Sequence, residues 1–207
     1  VTRAPETRAP ATRALRADAA RNRSLLLAAA AAEFAERGMD ASVADIARRA
    51  GIGKGTVFRH YPTKDDLLAA IVLDRVEELA GLARQLFLAE DAGAALFSFL
   101  EAAAGKQQQL DFSFLRDAGD INERLRESRE RLFAAIVALV ERAQAAGAVR
   151  ADVTGLDVIL MMCVPSHVVS FVPGAAPDLW RRYLALVIDG LRPEGAHSLG
   201  PVPPIGV

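Results

Sequence analysis

Cysteine occurs once in the 207 residues, at Cys163, so no intrachain disulfide can form. A reducing compartment such as the cytoplasm suits that usage. With one thiol and three histidines, the chain lacks the clustered ligands from which metal sites are built. No spacing pairs a nucleophile with a base, so no enzymatic activity and no cofactor are expected. Alternating apolar and polar runs long enough for a strand are missing, which argues against a sheet. Long hydrophobic runs are missing too. The most apolar stretch, Val158 to Val172, would span about 22 Å as a helix, against roughly 30 Å of bilayer hydrocarbon. Pro165, Ser166, His167 and Ser170 interrupt it, so a buried helix fits better and no membrane partner is expected. The N-terminal stretch is rich in Pro, Arg and Thr and shows no apolar signal segment.

What is present is apolar and helical. Hydrophobic residues make up 52% of the chain, enough for a sizeable core. The net charge of −1 conceals an asymmetry. Residues 1–64 hold 12 Lys+Arg against 6 Asp+Glu, while the remainder holds 13 against 20. A basic N-terminal part on an acidic remainder suggests a module that faces a polyanion.

The pattern predicts an all-α chain of about nine helices. A disordered basic tail over residues 1–18 carries a Thr-Arg-Ala repeat. A three-helix head covers residues 19–66, a larger helical body residues 67–192, and a Pro- and Gly-rich flexible tail residues 193–207. Helix one is expected from Asp18 to Arg37, with Leu27, Ala30, Ala31 and Phe34 inward. Ser42 with Asp45 reads as a capping box opening helix two. Gly51 supplies the left-handed backbone of a sharp turn. A short third helix then runs to Tyr61, where Pro62 ends it. Thr63 with Asp66 is a second capping box and opens a long fourth helix. In the body, a helix from Asp91 should bury Leu96, Phe97 and Leu100. Thr154 with Asp157 caps an apolar helix reaching Val172.

Helix three carries the chemistry. Val57 and Tyr61 can face inward, which leaves Lys54, Gly55, Thr56, Phe58, Arg59 and His60 partly outward. Lys54 and Arg59 can neutralise phosphates or donate to guanine edges. Thr56 and His60 can bond phosphate, and Phe58 offers a flat apolar surface. Gly55 permits close backbone approach, and Lys64 would clamp the flanking backbone. With Ser42 at the start of helix two, these form the expected set of contacts to double-stranded DNA. The run Gly51-Ile-Gly-Lys-Gly-Thr56 only imitates a phosphate loop, since Arg48 stands where the loop's first glycine belongs. The other reading of the same residues is a helical binding protein whose head makes protein–protein contacts.

The stretch SVADIARRAGIGKGTVFRHYPTKDDLL, Ser42 to Leu68, closely resembles the DNA-binding head of TetR/AcrR-family transcriptional regulators. Ile46-Ala47, Ala50-Gly51, Lys54-Gly-Thr56, Phe58, His60-Tyr61 and Lys64 carry the likeness. The ending Trp180 to Pro193 is similar to how many such regulators finish. The resemblance implies a homodimer on a palindromic operator, usually a repressor, released by a small molecule bound in the body. Phe58 departs from the tyrosine commoner there and so lacks a hydroxyl that could add about 1 kcal/mol of hydrogen bonding.

The body offers candidates rather than motifs. All-round apolarity of the Thr154–Val172 segment predicts burial on two sides, by the core and by a second copy. The expected dimer interface comprises Val164, Val168, Phe171, Leu179, Tyr183, Leu186 and Val187. Pro165 frees the carbonyl of Met161 inside that helix. The expected effector pocket is lined by Phe112, Phe114, Phe133, Met161, Met162, Cys163, Ser166 and His167. Apolar surroundings would keep Cys163 unreactive.

Overall fold

The computed structural model describes residues 9–108, 123–165, 167, 171–172, 174–194 and 196–200. Among them are eight α-helices and no strand. They are α1 (Ala9–Arg37), α2 (Val43–Ala50), α3 (Lys54–His60), α4 (Lys64–Leu86), α5 (Ala92–Gln108), α6 (Glu123–Ala145), α7 (Gly155–Met162) and α8 (Leu179–Leu191). The all-α class is as expected and the count is close to nine. Two compact units result, Val1–Val72 and Leu73–Val207, and α4 contributes residues to both.

The N-terminal unit buries an apolar stripe of α1, namely Leu26, Leu27, Ala30, Ala31 and Phe34. Val43, Ile46 and Ala47 of α2, Val57 of α3, and Leu67, Leu68 and Ile71 of α4 are buried as well. Helix α1 begins at Ala9 rather than Asp18, so residues 9–18 are helical and not part of an unstructured tail. Alanine, arginine and leucine are strong helix formers, and Pro10 sits in the first turn, where its missing N–H has no helical partner to lose.

Helix α2 is held at both ends. At its start, Ser42 Oγ accepts from the Asp45 N–H at 3.1 Å and donates to Asp45 Oδ2 at 2.6 Å. The return bond of a full capping box, from the Ser42 N–H to Asp45, is not formed. The Asp45 carboxylate turns instead to Arg37 at 3.2 Å and Arg48 at 2.5 Å. At its end, Gly51 takes φ +68. There the Gly51 N–H reaches the Arg48 carbonyl at 3.2 Å and the Ile52 N–H the Ala47 carbonyl at 2.9 Å. That paired closure satisfies the last carbonyls and turns the chain sharply. The box opening α4 is complete: the Thr63 N–H donates to Asp66 Oδ2 and the Asp66 N–H to Thr63 Oγ1, both at 3.0 Å.

The C-terminal unit is built around α5, α6, α7 and α8. Leu96, Phe99, Leu100 and Ala103 of α5 meet Ile136, Leu139, Val140 and Ala143 of α6, Val158 of α7, and Trp180, Leu184 and Leu191 of α8. Phe97, expected inside, is only partly buried, and Phe99 takes the core position. The inward stripe is Leu96, Phe99, Leu100 and Ala103, spaced three and four apart, and Phe97 lies about 100° away from Leu96. The Thr154–Asp157 capping box opens α7. This helix ends at Met162 rather than Val172, with Cys163 in a turn. Helical backbone resumes at Val164 and Pro165, so the interruption falls at Cys163, and Pro165, with no N–H to give, stands in the first turn of the segment that follows.

Part of the C-terminal segment is tied down, although it was expected to be flexible. Arg150 grips Asp152 through Nε at 2.6 Å and its terminal nitrogen at 2.9 Å, and also donates to the His197 carbonyl. The Leu199 N–H reaches Asp152 Oδ2 at 3.0 Å. The Arg150 guanidinium, aided by that N–H, holds the Asp152 carboxyl far below the usual range.

At Gly155, α7 packs tightly against α6. A Cβ there would lie 2.6 Å from Val137 Cγ2 and 3.2 Å from Val137 Cα. Gly155→Ala is expected to lower stability by about 1–3 kcal/mol in urea unfolding. Pairing it with Val137→Ala should recover part of the loss. The acid limb follows from α1 and α2. The Arg49 hydrogen bond lowers the Glu36 pKa, and the Ser42 hydroxyl followed by Arg48 lowers that of Asp45. Both groups bind protons more weakly when folded, so their stabilisation is present above the ordinary carboxylate range and lost as pH falls through and below it. Asp45→Asn should flatten the acid limb of the stability–pH profile read by circular dichroism.

Candidate nucleic-acid interface

Helix α3 is seven residues long and shows its functional face by default. Gly53 precedes it in extended backbone and accepts from the Thr56 N–H at 2.9 Å. Tyr61 closes it with φ −136 and ψ 88, extended as Pro62 demands. Val57 is fully buried and Tyr61 half-buried, the two positions expected inward. Lys54, Gly55, Phe58, Arg59 and His60 are exposed, and Thr56 is half-buried. The outward set is therefore contiguous on one short helix.

The face combines cations with aromatic rings. Lys54 Nζ sits 5.6 Å from the Phe58 ring centroid, an attraction that places the ammonium over an exposed ring. The His60 ring lies 6.4 Å from that of Tyr61, tilted by 51°. Phe58 is 41% exposed, unusual for phenylalanine on a helix that also offers a buried position. Such a surface can neutralise phosphates through Lys54 and Arg59 and lay rings against sugars or thymine methyls. Ser42 stands apart from that set. Its hydroxyl donates to Asp45 and accepts from the Asp45 N–H, so its bonds serve to cap α2. Lys64 opens α4 and is half-buried.

Several of the head's arginines are engaged with carboxylates inside the unit, a feature that residue spacing did not reveal. Arg49 binds Glu33 at 3.1 Å and Glu36 at 2.7 Å, while Arg37 and Arg48 share Asp45. Glu33 is only 5% exposed. A signal was present in the sequence: Glu33 falls among the inward positions Ala30, Ala31 and Phe34, where a carboxylate requires a cation.

Five of the eight effector-pocket candidates fall among the described residues. Phe112, Phe114 and Ser166 lie outside the described residues, as does the interface candidate Val168. Met161 and Met162 pack on the hydrophobic core, and Phe133 is 44% exposed. Cys163 is exposed, not enclosed by apolar neighbours, and stands in the turn that closes α7. His167 is exposed and meets Phe171 edge-on at 5.1 Å. A shallow cleft in the C-terminal unit is lined by Glu77, Ala80, Arg84 and Arg131, none of them a pocket candidate. Of the interface candidates, Val164, Phe171 and Leu186 are exposed. Leu179, Tyr183 and Val187 are half-buried, the last packed on the core. Among the described residues no three His, Cys, Asp or Glu side chains group as metal ligands, and no helix is long and apolar enough to cross a membrane.

Comparison with known proteins agrees with this arrangement. Residues 26–71 match the model for bacterial regulatory proteins of the tetR family. Residues 91–193 match the C-terminal domain of SbtR-like transcriptional regulators. A TetR transcription regulatory protein from Mycobacterium vanbaalenii is 35% identical, with 86% of this chain and 99% of that one aligned at a TM-score of 0.65. The TetR transcriptional regulator SCO0520 from Streptomyces coelicolor is 30% identical over 84% of this chain and 99% of its own, also at 0.65. The regulator PfmR from Thermus thermophilus is 26% identical over 81% and 95%, at 0.56. The exposed basic-aromatic α3, the turn that carries it and both matched domains place this chain in the TetR family of transcriptional regulators, DNA-binding proteins without enzymatic activity.

Proposed function

We propose that this regulator is a repressor that binds a palindromic operator as a homodimer and leaves it when a small molecule enters the C-terminal unit. The observation that carries the reading is the outer face of α3, where Lys54, Phe58, Arg59 and His60 stand exposed together while Val57 alone is fully buried. Lys54, Gly55, Thr56, Phe58, Arg59, His60 and Lys64 are the proposed DNA contacts, and Ser42 acts beside them as the cap of α2. One short helix reads only a few base pairs. Two heads on one dimer read half-sites about 34 Å apart or slightly more, and gain affinity because the second binds at high effective concentration.

Exposed apolar side chains support the dimer. Leu160, Val164, Phe171 and Leu186 all lie open in the single chain, where burial by a second copy would remove them from water. Release by an effector needs unequal affinity for two states of the protein. Helix α4 contributes to both units, which makes it the covalent route by which a change in the body reaches the head.

Genome-wide footprinting of the bound sites tests the function directly, and the genes beside them would narrow the effector class. On a duplex chosen by the wild-type chain from a random pool, Lys54→Ala with His60→Ala should weaken binding by about tenfold or more. The slope of log affinity against log salt should become shallower by about 0.9 for each phosphate that is no longer neutralised. Unchanged affinity would remove α3 from the interface. In sedimentation the chain should run as a dimer at micromolar concentration, and Phe171→Glu with Leu186→Glu should shift it to monomer.

A further inference from the structure

An arginine in a basic DNA-binding head invites the assumption that it meets phosphate. Arg49 is placed otherwise. One terminal nitrogen donates to Glu33 Oε1 at 3.1 Å and the other to Glu36 Oε1 at 2.7 Å. Its planar fork therefore spans two carboxylates of α1, a geometry that a lysine cannot copy. Glu33 retains only 7% of its side-chain exposure, and its second oxygen lies 3.5 Å from Arg37 Nε without a hydrogen bond. A carboxylate so buried depends on the cations around it.

We infer that Glu33 and Arg49 are a positioning pair for DNA recognition, fixing α2 on α1 so that α3 is presented in its reading pose, and that Arg49 itself does not meet DNA. This rests on the DNA-binding reading of the head. The links are short. Arg49 lies two residues before Gly51, whose left-handed turn, locked by the Ile52 N–H on the Ala47 carbonyl at 2.9 Å, sets the direction of α3. The far end of α2 has a matching clasp, Asp45 between Arg37 and Arg48. Along Glu36, Arg49, Glu33, Arg37, Asp45 and Arg48 the charges alternate in sign and cancel. The cations left to face phosphate on α3 are Lys54 and Arg59, both exposed.

The test uses the full chain and a duplex selected from a random-sequence pool by the wild-type protein, with a scrambled duplex as control. Glu33→Gln and Arg49→Gln are first checked for native helicity at the assay temperature. Both variants are expected to lose about tenfold on the selected duplex, with little change on the scrambled one. The salt slope should stay at the wild-type value. A phosphate-binding Arg49 gives the opposite pattern: the slope for Arg49→Gln becomes shallower by about 0.9 per phosphate, and Glu33→Gln, with one negative charge fewer, binds both duplexes more tightly. Either result overturns the pairing. Partial unfolding alone would weaken both duplexes equally, which also overturns it. Should Glu33→Gln not fold, Arg49→Lys decides. Loss on the selected duplex at unchanged slope supports the pair, and wild-type affinity sinks it. If the wild-type chain enriches no duplex, the DNA-binding reading fails along with the pair. If it enriches one and the variants match it, only the pair fails.

Discussion

Burial of Val57 is the constraint on which the recognition surface depends. Helix α3 has seven residues, too few to be stable in water alone. It contributes a single fully buried side chain, so nearly all its remaining surface is free for a partner. A helix anchored at one point is steered by what comes before and after it. Before it stand Gly51 and the closed end of α2. After it stand Pro62 and the complete capping box of α4. The head is accordingly a device for holding a short, poorly anchored helix in one orientation.

Electrostatics divides the same unit into an inside and an outside. Arginines on α1 and α2 are paired with Glu33, Glu36 and Asp45; the Arg49 bond pulls the pKa of Glu36 down, the two glutamates pull that of Arg49 up, and the Ser42 hydroxyl, followed by Arg48, lowers that of Asp45. Lys54, Phe58, Arg59 and His60 stand on the exposed side of α3. The number of basic residues in the head therefore overstates how many can meet a polyanion, because Arg37, Arg48 and Arg49 are paired with carboxylates within the fold. In the C-terminal unit packing dominates: Phe99, Trp180 and the leucines around them fill a core in which α7 approaches α6 so closely that residue 155 has no room for a Cβ.

Much of this was legible along the chain because its signals are local. Capping depends on residues three apart, so Thr63 with Asp66 and Thr154 with Asp157 could be read directly. Gly51 and Pro62 act on their own backbone and their neighbours'. Elements that depend on distant partners were harder. Ser42 and Asp45 look like a complete box until Arg37, eight residues earlier, draws the carboxylate away. Phe97 and Phe99 are both apolar, and only the face of α5 that meets α6 and α8 separates them. Pro165 marks an interruption of the apolar helix, but that the turn falls at Cys163, with helix resuming at Val164, was not readable from it. Exposure of Cys163 was not legible either, since enclosure is a property of several elements together.

The sequence by itself determined the order and most of the ends of the helices, the turn between α2 and α3, and the residues that a short recognition helix would turn outward. Those follow from backbone preferences and from spacing on a helix, which act within a few residues. Tertiary structure decided which charges are paired inside the head, which phenylalanine enters the core, and where α7 stops. Those outcomes depend on groups far apart in sequence competing for one carboxylate or one volume. The competition is settled only when the helices pack.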